Sequence, residues 1–223
     1  MDMKECLSEM TSHILWQVGA IRISETEPFR LTSGNMSPIY VDCRVVISYP
    51  AARDAITAFA HWLYEDKKLH ADYIAGGETA GIPYASWLAQ RLNQPLVYVR
   101  KEAKGHGARA QIEGELTPGS TVLLYEDLIT DGKSKLSFIQ GIRNAGCAVN
   151  NCLVVFDRQQ GGEEQLAAHA VFLHSLTDLS SCLEVGLNTG FICDRDYQSV
   201  RHYLRNPKAW HTARGFSFQE FQE

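Results

Sequence analysis

The sequence predicts an α/β chain with a mostly parallel central sheet flanked by helices, preceded by a small region of short strands. Two observations carry this. From residue 72 to 176, short apolar runs alternate with segments whose apolar residues recur at 3.6 spacing, the pattern of βαβ units covered on both faces. At two strand-to-helix junctions, residues 76–81 and 130–134, the loop is rich in Gly and Thr, residues that let a backbone turn tightly and approach a ligand. The 223 residues suit a single domain: about 1–45 for an N-terminal helix and short strands, about 50–176 for the α/β core, and 177–223 for C-terminal helices and a tail.

Taken in order, residues 5–18 place Leu7, Met10, Ile14, Leu15 and Val18 on one helical face, and Gly19 supplies the stop. Residues 20–48 are rich in β-branched and aromatic side chains, broken at Glu27-Pro28 and Ser33-Gly34-Asn35, and read as short strands with turns. Pro50 fits the first turn of a helix reaching about Tyr64. A strand over 72–77 ends in Gly76 and Gly77, followed by Glu78, Thr79, Ala80 and Gly81 and a helix over 82–92. That loop is a candidate cradle for a diphosphate, because glycines let backbone amides approach an anion. Gly-Gly at a strand end is also a common turn, and the loop is not a G-x-G-x-x-G dinucleotide fingerprint.

The next strand, 96–100, runs into a basic segment, Arg100, Lys101, Lys104, His106 and Arg109, interleaved with Gly105 and Gly107. Such a segment can close over a polyanion, although by composition alone a solvated charge run is the commoner reading.

Residues 122–134 carry the chemistry. Four apolar residues read as a buried strand, Glu126 and Asp127 stand at its C-terminal end, and Leu128, Ile129, Thr130, Asp131, Gly132, Lys133 and Ser134 lead into a helix ending near Ala145. In an open α/β sheet ligands bind at strand C-terminal ends, and a loop entering a helix offers unpaired N–H groups to a phosphate. The carboxylates suit hydroxyls and a divalent cation. A P-loop is excluded, since its first Gly would fall at Asp127.

A strand over 151–156 delivers Asp157, Arg158 and Gln159 to the same edge, where Arg158 could grip a planar carboxylate. A short helix over 163–168, a strand over 170–176 and helices over 180–187 and 196–204 follow. The tail beyond Pro207, with Trp210, Phe216, Phe218 and Phe221, could pack on the body or on a partner.

Composition excludes several classes. Hydrophobic and charged contents of 45% and 21% are those of an ordinary globular protein. No apolar run spans a bilayer, and the N-terminus lacks the pattern of a signal peptide, so a cytoplasmic chain with no membrane partner is expected. A net charge of −5 predicts no nucleic-acid partner. Six cysteines without a C-x-x-C pair read as free thiols.

Residues 122–134 resemble the phosphoribosyl diphosphate (PRPP) signature of type I phosphoribosyltransferases. Residues 31–34 and 37–42 (LTSG and SPIYVD), 100–107 (RKEAKGHG) with QIEG after it, and Asp157-Arg158-Gln159 narrow the resemblance to the orotate phosphoribosyltransferase family, over most of the chain. It implies the type I phosphoribosyltransferase fold with an N-terminal hood, and transfer of ribose 5-phosphate from PRPP to orotate with Mg²⁺ held through PRPP and water. Glu126 and Asp127 would hold the ribose hydroxyls, the loop through Ser134 the 5′-phosphate, and residues 76–81 the diphosphate. Tyr40, Val41, Thr130 and Arg158 would hold orotate. Arg100, Lys101, Lys104 and His106 would close over the diphosphate from a loop, residues 100–112, shared between the subunits of a homodimer. Lys104, His106 and Asp127 are the implied catalytic groups.

The chain departs from the family pattern at Thr32, where a lysine is usual, at Thr79-Ala80, where a Tyr-Lys pair is usual, at Asp131 and Lys133, where small residues are usual, and in a Glu-Asp rather than Asp-Asp pair. Lys133, Lys135 or Arg109 could compensate, or backbone amides of residues 76–81 could hold the diphosphate. The rival readings are a phosphoribosyltransferase for another base and a non-catalytic PRPP sensor. The length predicts no fused orotidylate decarboxylase.

Overall fold

The computed structural model describes residues 2–31, 34–102 and 111–219. In chain order they form α1 (Met3–Gln17), β1 (Ile21–Ile23), β2 (Phe29–Arg30), β3 (Met36–Ser37), β4 (Ile39–Val41), a 3₁₀ helix (Cys43–Ser48), α2 (Pro50–Asp66), β5 (Tyr73–Gly77), α3 (Gly81–Leu92), β6 (Leu96–Val99) and β7 (Ile112–Glu113). There follow β8 (Thr121–Ile129), α4 (Lys133–Asn144), β9 (Ala148–Asp157), α5 (Gly162–Ala167), β10 (Phe172–Asp178), α6 (Leu179–Asn188), α7 (Asp194–Arg205) and α8 (Pro207–Ala213).

The main sheet runs β10-β9-β8-β5-β6-β7, parallel except for β7 at one edge. Its strands alternate side chains between two cores, as a period of two requires. Leu123, Tyr125, Leu153 and Val155 pack with residues of α1, α2, α3 and α6, whereas Val122, Leu124, Cys152 and Val154 pack with Phe138, Ile139 and Ile142 of α4 and Leu166 of α5. The hood consists of two small antiparallel pairs, β1 with β4 and β2 with β3.

Two sequence expectations are corrected here, and a third point that the sequence left open is decided. The strand ending before Glu126 in fact runs on to Ile129, because its ladder with β9 continues through Glu126↔Val154 and Leu128↔Phe156 to Ile129↔Asp157. Residues 43–48 are a 3₁₀ helix rather than a strand: the Asp42 side chain accepts the Arg44 N–H and ends β4. The tail packs on the body. Pro207 in the first turn and the Asn206 side chain accepting the Ala209 N–H start α8, and Trp210 is fully buried. Phe221 lies outside the described residues.

Candidate active site

The sheet order places a topological switch point between β5 and β8. From β5 the chain crosses to β6 on one side; from β8 it crosses to β9 on the other. The crevice beyond their C-terminal ends is where an open α/β sheet binds ligands. Residues 76–81 lie at the tip of β5, and residues 126–134 form the tip of β8 and the entry to α4, so the two loops singled out in the sequence face one crevice.

Glu126 and Asp127 point to opposite faces of β8. Glu126, 3% exposed, sits under the glycine loop: its Oε1 accepts the Gly77 N–H at 2.6 Å, and its Oε2 pairs with Lys135 Nζ at 3.0 Å. The glycines are required by this packing. A Cβ on Gly81 would lie 1.8 Å from Glu126 Oε1, and one on Gly77 would lie 2.1 Å from the Phe138 ring. Burial pulls the Lys135 pKa down, but the Glu126 and Asp127 charges outweigh it and leave it raised, so the lysine is charged. Burial likewise raises Glu126, against the opposing pull of Lys135.

Lys135 is therefore a buried counter-ion beneath the loop, not a surface cation for a diphosphate, which removes one of the three candidate compensating residues. Lys133 is exposed on the first turn of α4, and Arg109 lies outside the described residues. The sequence held a signal for this network. Two lysines in a helical first turn oppose the helix dipole, an arrangement that calls for a nearby carboxylate.

Asp127, 7% exposed, lies on the hood side of β8. Burial raises its pKa, with Lys135 pulling the other way, and its charge in turn helps to raise Cys43, whose thiol is pushed up chiefly by burial. Tyr84 donates its hydroxyl to the Cys43 carbonyl at 2.6 Å and closes this face from below. Above it, Tyr40 and Val41 lie on β4. Arg44 forks onto Asp42, Nε to Oδ1 at 2.6 Å and Nη2 to Oδ2 at 2.8 Å, and these hydrogen bonds lower the Asp42 pKa. Arg22 lies over the Tyr40 ring, 5.0 Å from its centroid.

Arg158 follows β9 and is anchored by its N–H to the Ile129 carbonyl. Its guanidinium is half-buried; burial lowers its pKa, and the neighbouring ionisable groups are Tyr203, Cys43 and Tyr40. Among the described residues no carboxylate pairs with it. A cavity of about 470 Å³ opens beside Arg158 on its α6 and α7 side, lined also by Ser180, Leu183, Tyr197 and Arg201.

The loop between β8 and α4 presents Thr130 half-buried, Asp131, Lys133 and Ser134 exposed, and Gly132 buried as the N-cap of α4. Asp131 Oδ1 accepts the Lys133 N–H, which leaves the Ser134 N–H among the first-turn donors without a helical partner. In the glycine loop, Gly77 N–H is held by Glu126 and Glu78 N–H by the Val99 carbonyl, whereas Thr79 is exposed. The Glu78–Thr79 peptide is cis. Glu78 Oε2 accepts the Lys101 N–H at 3.0 Å and so ties the base of the basic segment to this loop. Arg100 pairs with Glu113 at 3.2 Å. Lys104 and His106 lie outside the described residues, as does Thr32. All six cysteines are unpaired.

Comparison with known proteins agrees with this geometry. The family model described as "Phosphoribosyl transferase domain" matches residues 47–181. An orotate phosphoribosyltransferase of Rhizobium johnstonii is 41% identical over 92% of this chain and 90% of its own length, and one of Cereibacter sphaeroides is 42% identical over 95% and 93%. Among solved structures, orotate phosphoribosyltransferase from Aeropyrum pernix superposes with a TM-score of 0.68 at 30% identity over 78% of this chain and 98% of its own. UMP synthase of Leishmania donovani gives 0.77 at 30% identity over 89% of this chain, which spans 42% of that longer protein. The chain belongs to the orotate phosphoribosyltransferase family.

Proposed function

We propose that this chain transfers ribose 5-phosphate from PRPP to a ring nitrogen of orotate, releasing diphosphate and forming orotidine 5′-monophosphate, as a step of pyrimidine biosynthesis in the cytoplasm. The observation that carries the site assignment is the convergence, at one switch point, of a phosphate loop, a carboxylate and a glycine loop, with Arg158 and Tyr40 beside them.

The 5′-phosphate is assigned to Thr130, Asp131, Gly132, Lys133 and Ser134 at the N-terminus of α4, and the ribose hydroxyls to Asp127, while Glu126, its oxygens held by Gly77 and Lys135, fixes the glycine loop beside them, with Leu128 and Ile129 as the strand that sets their spacing. The diphosphate is assigned to residues 76–81. Since the Gly77 and Glu78 amides are already engaged, the amides of Thr79, Ala80 and Gly81 would hold it. Orotate is assigned to Tyr40, Val41, Thr130 and Arg158. A guanidinium that no carboxylate pairs with among the described residues suits a carboxylate-bearing pyrimidine, which needs a cation that a purine does not.

In the reaction a ring nitrogen of orotate bonds to C1′ as the bond from C1′ to the diphosphate oxygen breaks. Positive charge grows on the sugar and negative charge on the leaving group, so fixed cations and exclusion of water stabilise the transition state. Arg100, Lys101, Lys104 and His106 are proposed to close over the diphosphate, from a loop over residues 100–112 shared across a homodimer. Lys104→Ala is expected to be the most damaging change in it, at about 3 kcal/mol of transition-state stabilisation. The donor chemistry fits a Mg²⁺ carried by PRPP oxygens and water: Glu126 is committed to Lys135 and Gly77, which leaves Asp127 as the one carboxylate of the pair, as in sites that combine one or two carboxylates with substrate phosphates. When bound, that ion supplies positive charge to the departing diphosphate.

The test is the ultraviolet absorbance of orotate followed with purified protein, PRPP and Mg²⁺. A decrease that requires all three is expected. No decrease, with PRPP still bound by calorimetry, would reject orotate as the base.

A further inference from the structure

The hood hairpin is too short to hold itself. Among the described residues its strands β2 and β3 are two residues each, paired at Phe29↔Ser37 and Arg30↔Met36 with one further bond from the Leu31 N–H to the Asn35 carbonyl, and an isolated hairpin, even a longer one, is marginal in water. Yet it leads directly into β4, which carries Tyr40 and Val41.

The C-terminal segment grips it in three places. The Met36 N–H donates to His211 Nε2 at 3.0 Å. Asn35 pairs with the Gln219 backbone in both directions, Nδ2 to the carbonyl at 2.9 Å and Oδ1 from the N–H at 2.8 Å. Glu25, just after β1, is bound by Arg195 and by Arg214 Nη2, the latter at 3.1 Å.

His211 is the centre of this grip. It is fully buried, its Nδ1 lies 2.6 Å from the Pro207 carbonyl, and Trp210, Phe216 and Phe218 surround its ring. A carbonyl can only accept, so Nδ1 carries the proton and Nε2 is left as the acceptor that Met36 uses. A buried imidazole with both nitrogens assigned is a directional joint between the tail and the hood, which a purely apolar residue would not supply.

We infer that residues 206–219 are a strap that sets the hood for the base, and that His211 is a positioning residue for the nucleobase contacts of Tyr40 and Val41. The inference rests on the proposed reading of those two residues, so its test carries a readout independent of activity. His211→Phe keeps a ring but loses both polar contacts; His211→Gln keeps an oxygen that can accept the Met36 N–H. Steady-state kinetics should show His211→Phe raising KM for orotate about fivefold or more, with kcat and KM for PRPP within about twofold of the parent, and His211→Gln restoring most of the difference. Amide hydrogen exchange of peptides covering residues 34–41 should quicken in His211→Phe and return toward the parent rate in His211→Gln. A fall in kcat with both KM values unchanged, or unchanged exchange over 34–41, would overturn the strap. Should His211→Phe fail to fold, Asn35→Asp, which replaces the donor to the Gln219 carbonyl with a carboxylate oxygen, must raise KM for orotate in the same direction or the inference fails. A parent enzyme inactive on orotate would reject the functional reading alone, and the exchange data would still decide the strap.

Discussion

Glu126 and Asp127 are adjacent in the chain, yet they open onto two regions built for different purposes. On the Glu126 face everything is closed: the carboxylate is bonded to Gly77 and Lys135, and Gly81 and Phe138 leave it no room. On the Asp127 face the neighbours are Cys43, Tyr84 and Arg44, and above them stands the hood, an element of short strands held from outside. One face of the strand builds the loop; the other, in the function proposed above, meets the substrate. The period of two in a β-strand makes this division possible with a single dipeptide.

The division predicts opposite mutant phenotypes. The largest effect on stability is expected from Lys135→Met, which strands a buried carboxylate without its cation. Breaking one half of a buried ion pair costs about 3–5 kcal/mol, readable from urea denaturation. The folded fraction should retain most of its kcat/KM. Asp127→Asn should do the reverse, lowering kcat/KM by about 10²–10³, or about 3 kcal/mol, with no loss of stability, because it removes a charge that the fold desolvates. A Lys135→Met enzyme that is stable but inactive would collapse the distinction between the two faces. Gly81→Ala tests the closed face more gently. Its methyl would displace the Glu126 carboxylate, an overpacking expected to cost about 1–3 kcal/mol, again seen in denaturation before it is seen in KM for orotate.

The same contrast explains how much was legible in the sequence. The core was read from local signals: the apolar runs at 122–125 and 151–156 and the glycines after residue 75 mark strands and turns by their own chemistry. The placement of Glu126, Asp127, residues 130–134 and Arg158 around one sheet edge was legible because they fall at the ends of those strands. What was missed depends on partners distant in the chain. Nothing near Lys135 names Glu126, nine residues earlier, as its counter-ion, except two cations in an unfavourable helical first turn. Nothing near residue 36 announces that its amide will be held by His211, 175 residues later. The 3₁₀ helix at 43–48 was read as a strand because Val45, Val46 and Ile47 have strand propensity, and one Asp42 cap decides otherwise.

The smallest expected effect is also the one that separates the two carboxylates most finely, through pH. Burial raises the pKa of Asp127, and the positive charge of Lys135 opposes that rise. If catalysis needs Asp127 ionised, activity is lost as pH falls through this raised value, so the acid limb of kcat/KM should lie above the ordinary carboxylate range. In Lys135→Met the opposing charge is gone and the limb should move further up. Stability runs the other way. A folded-state pKa above the unfolded one means the fold prefers the protonated group, so its stabilising contribution is complete below the unfolded pKa and is lost as pH rises through the folded one. Asp127→Asn abolishes that loss. Its stability relative to the parent should therefore grow as pH rises from the unfolded carboxylate pKa through the raised value and level off above it. Denaturation midpoints of parent and variant across that window measure the difference, and a constant difference would show that Asp127 titrates in the fold as it does in the unfolded chain.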